Sequence, residues 1–168
     1  NFNILYEKNS HEKRSVASIT KVMTVLLVME DIESGKISLK DTVTASKHAS
    51  SMGGSDIWLE EGEQLSLDDM LKATLVASAN DAAVALAEYP EGSEDAFVKR
   101  MNTRAKELGM KDTVFKNCNG LDEKGHYSSA YDVALMSAEL IKHTKVFDYT
   151  SIWLDFLRDG KTQIVNTN

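Results

Sequence analysis

The chain has 168 residues, 42% hydrophobic and 27% charged, with a single proline, a composition that describes one soluble globular domain with a proper core. Its net charge of −7, with no basic cluster, argues against a nucleic-acid partner. The four histidines (His11, His48, His126, His143) lack metal-ligand spacing and Cys118 is the lone cysteine, so neither a zinc site nor an internal disulfide is available.

Ile4, Leu5 and Tyr6 form a short apolar run that predicts a strand, followed by a polar turn over residues 7–14. Residues 17–35 then organise the chain. Across residues 22–29 only Thr24 is polar, the run is too long for an ordinary strand, and Gly35 is a good helix stop. A helix apolar on nearly every side belongs in the middle of a domain. Thr42, Val43 and Thr44 predict a short strand, and residues 46–55, small and polar with Gly53-Gly54, predict a loop. Ile57 and Leu59 alternate with polar neighbours before a turn at Glu61-Gly62. Ser66 with Asp69 is a capping-box-like start to a helix carrying Leu67, Met70, Leu71 and Leu75. Residues 78–81 interrupt it, and Asn80 or Asp81 is expected to cap a helix over residues 82–89. Ser93 predicts the start of another, with Phe97, Met101, Ala105 and Leu108 on one face and Gly109 closing it. A two-glycine loop over residues 117–127 follows, then a helix opened by Ser129 and Asp132. Asp159-Gly160, flanked by two apolar runs, is a strong hairpin signal. The balance is helical with a few strands. No run approaches 18 apolar residues without a charge and no signal-peptide pattern opens the chain, which reads as a mature or trimmed form.

The chemistry starts at the head of the apolar helix. Ser18 and Lys21 are three residues apart, about 60° off a full turn and about 4.5 Å in rise, so hydroxyl and amine share one face. About one Ser-x-x-Lys arises by chance in a chain this long, and Ser10 with Lys13 is a second instance, in a polar turn. Taken alone, the tetrad is equally an N-cap and a solvated lysine. Ser18 is set apart by its rigid, buried helix and by nearby free backbone N–H groups. Ser78-Ala79-Asn80 is the only Ser-x-Asn in the chain and falls in the break between two helices, where a simple cap is the plainer reading.

In this order, about 60 residues apart, the two motifs resemble two of the three motifs of the penicillin-recognising serine enzymes. Residues 17–24 and 71–83 narrow the resemblance to the low-molecular-mass penicillin-binding proteins, the serine-type D-alanyl-D-alanine carboxypeptidases of bacterial cell walls. Met101-Asn102, Leu108-Gly109-Met110, Asn119-Gly120-Leu121-Asp122 and His126-Tyr127-Ser128-Ser129-Ala130 add to it, so it covers nearly the whole chain. It implies a mixed α/β, β-lactamase-like fold, with an antiparallel sheet flanked by helices and a helical lobe beside it. It also implies a nucleophile, Ser18, that attacks the D-Ala-D-Ala carbonyl and forms an acyl-enzyme. Lys21 becomes the general base, its pKa depressed by burial and by the helix N-terminus. Ser78 relays the proton, Asn80 hydrogen-bonds the lysine and the substrate, and the Ser18 N–H supplies half of an oxyanion hole. No cofactor or metal is implied. The implied partners are a peptidoglycan stem peptide ending in D-Ala-D-Ala and β-lactam antibiotics, at an extracytoplasmic, cell-envelope location, with membrane association only through segments absent from this chain.

One departure stands out. The third family motif, Lys-Thr-Gly, is absent: Lys161-Thr162-Gln163 is a near miss beside the hairpin turn, and residues 166–168 resemble the run-up to the true motif. The expectation is therefore that residues 1–168 are a single catalytic domain that stops before the Lys-Thr-Gly strand and lacks its first strand. Such a chain should be inactive alone and should leave one face of the apolar helix uncovered, favouring self-association. Two other readings remain open. A class A β-lactamase shares the architecture and the tetrad, but usually carries Ser-Asp-Asn and a deacylating Glu, and nothing around Glu123 looks like that element. A non-catalytic peptidoglycan- or partner-binding module is the other.

Overall fold

The apolar segment folds in two parts. Ala17–Thr20 is a 3-10 turn, and helix α1, Lys21–Glu33, continues directly from it. Gly35, at φ +76°, follows the helix in the left-handed region that favours glycine. Met23, Val25, Leu26, Leu27, Val28 and Met29 are all buried, each worth about 1.5–3 kcal/mol where the side chain is large. Their cover comes from three helices of the same chain: α4, Asn80–Glu91, α5, Glu94–Glu107, and α6, Ala130–Leu140. This corrects the expectation that a face of the central helix would lie open for want of a sheet. Exposed apolar side chains include Ile19 in the turn and, away from it, Ile4, Leu5, Tyr6, Trp58, Trp153, Leu154 and Phe156.

The computed structural model describes residues 3–166. Thr167 and Asn168, which carry part of the expectation about the third motif, lie outside them, as does Asn1. The fold is mixed, helices with small antiparallel sheets, as expected. Among the described residues the strands make two two-stranded sheets. Strand β1, Thr42–Thr44, pairs with β2, Gln64–Ser66, with Val43 opposite Leu65. Strands β3, Leu154–Leu157, and β4, Thr162–Val165, form the expected hairpin around Arg158, Asp159 and Gly160, all at positive φ. The expected strand at Ile4, Leu5 and Tyr6 does not form. Leu5 is 97% exposed and no ladder involves these residues, and a strand needs a partner to satisfy its backbone.

Serine side chains cap the N-termini of four helices. Helix α3, Leu67–Val76, opens with the Asp69 N–H donated to Ser66 Oγ at 3.1 Å. Ser93 and Ser129 cap α5 and α6 in the same way, accepting from Ala96 and Asp132. Ser46 does so for a short helix α2, Lys47–Ser50, inside the stretch expected to be a loop. A last short helix, α7, Val146–Thr150, precedes the hairpin. The break between α3 and α4 departs from expectation. Asn80 and Asp81 lie inside α4 rather than capping it, and Ala79 takes the N-cap position without a side-chain bond. Ser78 sits at φ +55°, and the Ala79 N–H reaches back to the Ala73 carbonyl at 3.2 Å. The left-handed position just after a helix is usually occupied by glycine. Here a serine holds it, at the mouth of the site.

Candidate active site

In a 3-10 helix, side chains three apart eclipse. The Ala17–Thr20 turn therefore sets Ser18 directly in line with Lys21, where an α-helix would offset them by about 60°. Ser18 is exposed, whereas Lys21 is only 5% exposed. The Lys21 amine lies 3.2 Å from Ser18 Oγ, 2.7 Å from Asn80 Oδ1 and 2.7 Å from the Asn119 carbonyl oxygen. Those are three acceptors for three N–H bonds. Burial, opposed by the nearby Cys118 and Asp56 side chains, lowers the amine's pKa to about 8. Taking a charge out of water disfavours it, and the opposing pull of the Asp56 carboxylate is the smaller effect.

Asn80 joins the two motifs. Its Oδ1 accepts from Lys21, its Nδ2 donates to the Gly53 carbonyl at 2.7 Å, and its backbone N–H donates to the Ser55 carbonyl at 2.7 Å. Its neighbour Asp81, 2% exposed, accepts from the backbone N–H groups of Ile57 and Leu59 and from Ala82. The carboxylate thus pins residues 57–59 beside the site and holds Trp58 outward, 80% exposed at φ +55°. Asp56, between Lys21 and Asp81, has its pKa raised by burial and by the Asp81 charge. Ser78 is half-buried at the same break, and among the described residues its hydroxyl makes no hydrogen bond to Ser18 or Lys21.

Residues 117–127 supply what the sequence reading did not assign. They reach the Ala17–Thr20 turn from about 100 residues away and touch it repeatedly. The Asn119 carbonyl takes a Lys21 N–H, and the Cys118 carbonyl takes the Thr24 hydroxyl at 2.6 Å. Gly120, at φ +89°, lies so close that a Cβ there would stand 1.9 Å from the Ala17 carbonyl oxygen. The early signals were the Asn119-Gly120 pair, a common turn dipeptide, and the family-like residues 119–122 and 126–130, and none of them speaks of contact with α1. The rival tetrad is not assembled. Ser10 Oγ donates to Glu7, while Lys13 faces Asp112 and the Tyr127 ring. Lys161-Thr162-Gln163 lies at the tip and start of β4, with Lys161 and Gln163 exposed. Glu123 is exposed and accepts from Asn117.

The chain is similar to known proteins along nearly its whole length. The family model described as D-alanyl-D-alanine carboxypeptidase (Peptidase_S11) matches residues 2–168. D-alanyl-D-alanine carboxypeptidase DacF of Bacillus subtilis is 54% identical over 168 residues, which cover 98% of this chain and 43% of DacF. DacC of Escherichia coli is 40% identical over 144 residues, 82% of this chain and 36% of DacC. The chain thus spans less than half the length of these curated relatives. Penicillin binding protein 6B from Escherichia coli superposes with a TM-score of 0.91 at 36% identity, over 99% of this chain and 54% of that one. Penicillin-Binding Protein D2 from Listeria monocytogenes, in its ampicillin-bound form, gives 0.84 at 31% identity, over 98% and 67%. On this match the chain belongs to the D-alanyl-D-alanine carboxypeptidase family of low-molecular-mass penicillin-binding proteins.

Proposed function

We propose that the protein is a serine D-Ala-D-Ala carboxypeptidase of the bacterial cell envelope, trimming the terminal D-Ala from peptidoglycan stem peptides and acylated by β-lactams at Ser18. The observation that carries this reading is the division of Lys21's three contacts. The two short ones, to Asn80 Oδ1 and the Asn119 carbonyl, need N–H donors in either protonation state. The long one, to Ser18 Oγ, is the only one that can reverse. A neutral amine keeps its two N–H bonds and turns its lone pair on the serine hydroxyl. Lysine can act as base here because its pKa is near 8.

The reaction follows in balanced steps. Ser18 Oγ attacks the penultimate D-Ala carbonyl while its proton passes to Lys21 Nζ. The Ser18 backbone N–H faces the oxygen that gains charge. As the C–N bond breaks, the departing D-Ala amine takes a proton by way of Ser78, and water then hydrolyses the ester with Lys21 again as base. Asn80 holds the lysine in line, and its second amide hydrogen is offered to the substrate backbone. In the same proposal residues 1–168 belong to one catalytic domain whose Lys-Thr-Gly motif lies on a strand not among them. The alternatives, a β-lactamase and a non-catalytic binding module, gain no support from the relatives' names. The test is peptide mapping by mass spectrometry of the full-length protein, which includes the Lys-Thr-Gly strand, treated with benzylpenicillin. A stable adduct on Ser18 is expected, absent in Ser18→Ala. Label on Ser10 would overturn the assignment, and rapid release of hydrolysed penicillin would favour a β-lactamase.

A further inference from the structure

The 3-10 turn that stacks Ser18 over Lys21 is a weak element by itself. It is four residues long, its N-cap Val16 has no side chain to offer, and 3-10 hydrogen bonds are strained. Its geometry must be imposed from outside. Thr20, the residue between the nucleophile pair that points inward, is fully buried, and its Oγ1 lies 2.8 Å from Nε2 of His126, itself 6% exposed. On the other side of the ring, Nδ1 accepts the Lys116 backbone N–H at 3.2 Å. An imidazole nitrogen that accepts from a backbone N–H carries no proton, so the ring's single proton sits on Nε2 and is donated to Thr20. Burial lowers the His126 pKa, against the opposing charges of Glu123 and Asp122, which keeps the ring neutral. The ring is also clamped, edge to face against Phe115 at 5.8 Å between centroids. Phe115 in turn exchanges both backbone bonds with the Asn102 amide on α5.

We infer that His126 and Thr20 form a positioning pair for the proposed acylation: the histidine fixes the 3-10 turn through the threonine hydroxyl and so holds Ser18 Oγ in reach of the Lys21 amine. His126 touches neither reacting group and is no catalytic base. Its one neutral N–H is directed at the turn, while Gly120 braces the same turn at the Ala17 carbonyl. Loss of the bond lets the turn relax towards α-helical spacing, which rotates Ser18 away from the amine. Displacements of this kind cost about ten- to a hundredfold in rate.

The inference rests on the carboxypeptidase reading, and single-turnover acylation by a fluorescent penicillin separates the two. In the full-length protein, which includes the Lys-Thr-Gly strand, wild type, Thr20→Ser, Thr20→Val, His126→Phe and the double variant Thr20→Val/His126→Phe would be compared at matched thermal stability and at increasing probe. Thr20→Val and His126→Phe are each expected to lower the limiting acylation rate constant about tenfold or more, with the half-saturating probe concentration nearly unchanged. Thr20→Ser keeps the hydroxyl and is expected to keep the rate. The double variant should be no slower than the slower single one, because both remove one bond. If wild type fails to label at Ser18, the functional reading fails. If it labels and folded Thr20→Val labels equally fast, or if the losses multiply in the double variant, the positioning pair is refuted. Should His126→Phe not fold, the contrast between Thr20→Val and Thr20→Ser decides alone.

Discussion

Raising the pH from 7 to 9 is the simplest perturbation of the proposed site. With the Lys21 pKa at about 8, the neutral, proton-accepting fraction is about 10% at pH 7, about half at pH 8 and about 90% at pH 9. If the amine is the base, the acylation rate constant at Ser18 should rise about tenfold over that interval and then level off. The assay is stopped-flow or quenched labelling with a chromogenic cephalosporin, with hydroxide hydrolysis subtracted. The same titration has a stability side. Lys21 loses its proton at lower pH in the folded protein than in the unfolded chain, so between about pH 8 and the ordinary lysine range the unfolded state holds more protons. Stability therefore rises with pH across that window, and the burden of the buried ammonium, roughly 3 kcal/mol, is fully present below it. Lys21→Arg removes both effects, since a guanidinium stays charged at these pH values, and should leave acylation slow and flat. A wild-type rate independent of pH between 7 and 9, or near-normal acylation by Lys21→Arg, would show that the base lies elsewhere.

Two further perturbations test the scaffold. Asp81→Ala strips the shared acceptor from the buried Ile57 and Leu59 N–H groups and should lower unfolding free energy by about 2–4 kcal/mol, read as a shift in the denaturant midpoint; an unchanged midpoint would mean water replaces the carboxylate. Arg100→Met leaves Asp31, whose side chain is 6% exposed, without its bidentate partner at 2.6 and 2.7 Å. Lys36 remains 3.6 Å away, so a loss of about 3 kcal/mol is expected by thermal denaturation, with acylation of the folded fraction unaltered.

Local chemistry made much of the fold readable from the chain. Ser66, Ser93 and Ser129 announce helices because a serine hydroxyl satisfies an orphan N–H within its own turn. Asp159-Gly160 announces a hairpin because few residues tolerate positive φ, and the apolar run ending at Gly35 announces a buried helix. The pairing of Ser18 with Lys21 was legible for the same reason, since three residues on one helical face need no tertiary information. Ile4, Leu5 and Tyr6 misled because a strand is a property of two segments and a sequence shows one. Residues 46–55 hid helix α2 because small polar residues signal loops and caps alike, and Ser46 was a cap. The cover of α1 by α4, α5 and α6 was equally out of reach, since an all-round apolar helix states that it is buried but not by what.

The site's energetics were decided only by the tertiary structure. The sequence by itself determined which residues have the chemistry: a hydroxyl and an amine at 18 and 21, a hydroxyl and an amide at 78 and 80. The bond from Lys21 to Asn80, 59 residues away, came only with the family resemblance, and nothing in the sequence showed the Asn119 carbonyl, 98 residues away, meeting the same amine. Nor could it show that His126 grips Thr20 across 106 residues, or that Gly120 abuts the Ala17 carbonyl. Those contacts, and the burial that brings the Lys21 pKa to about 8, arise because desolvation and hydrogen-bond direction depend on everything packed around a group. Composition and spacing carry none of that information until the chain has closed on itself.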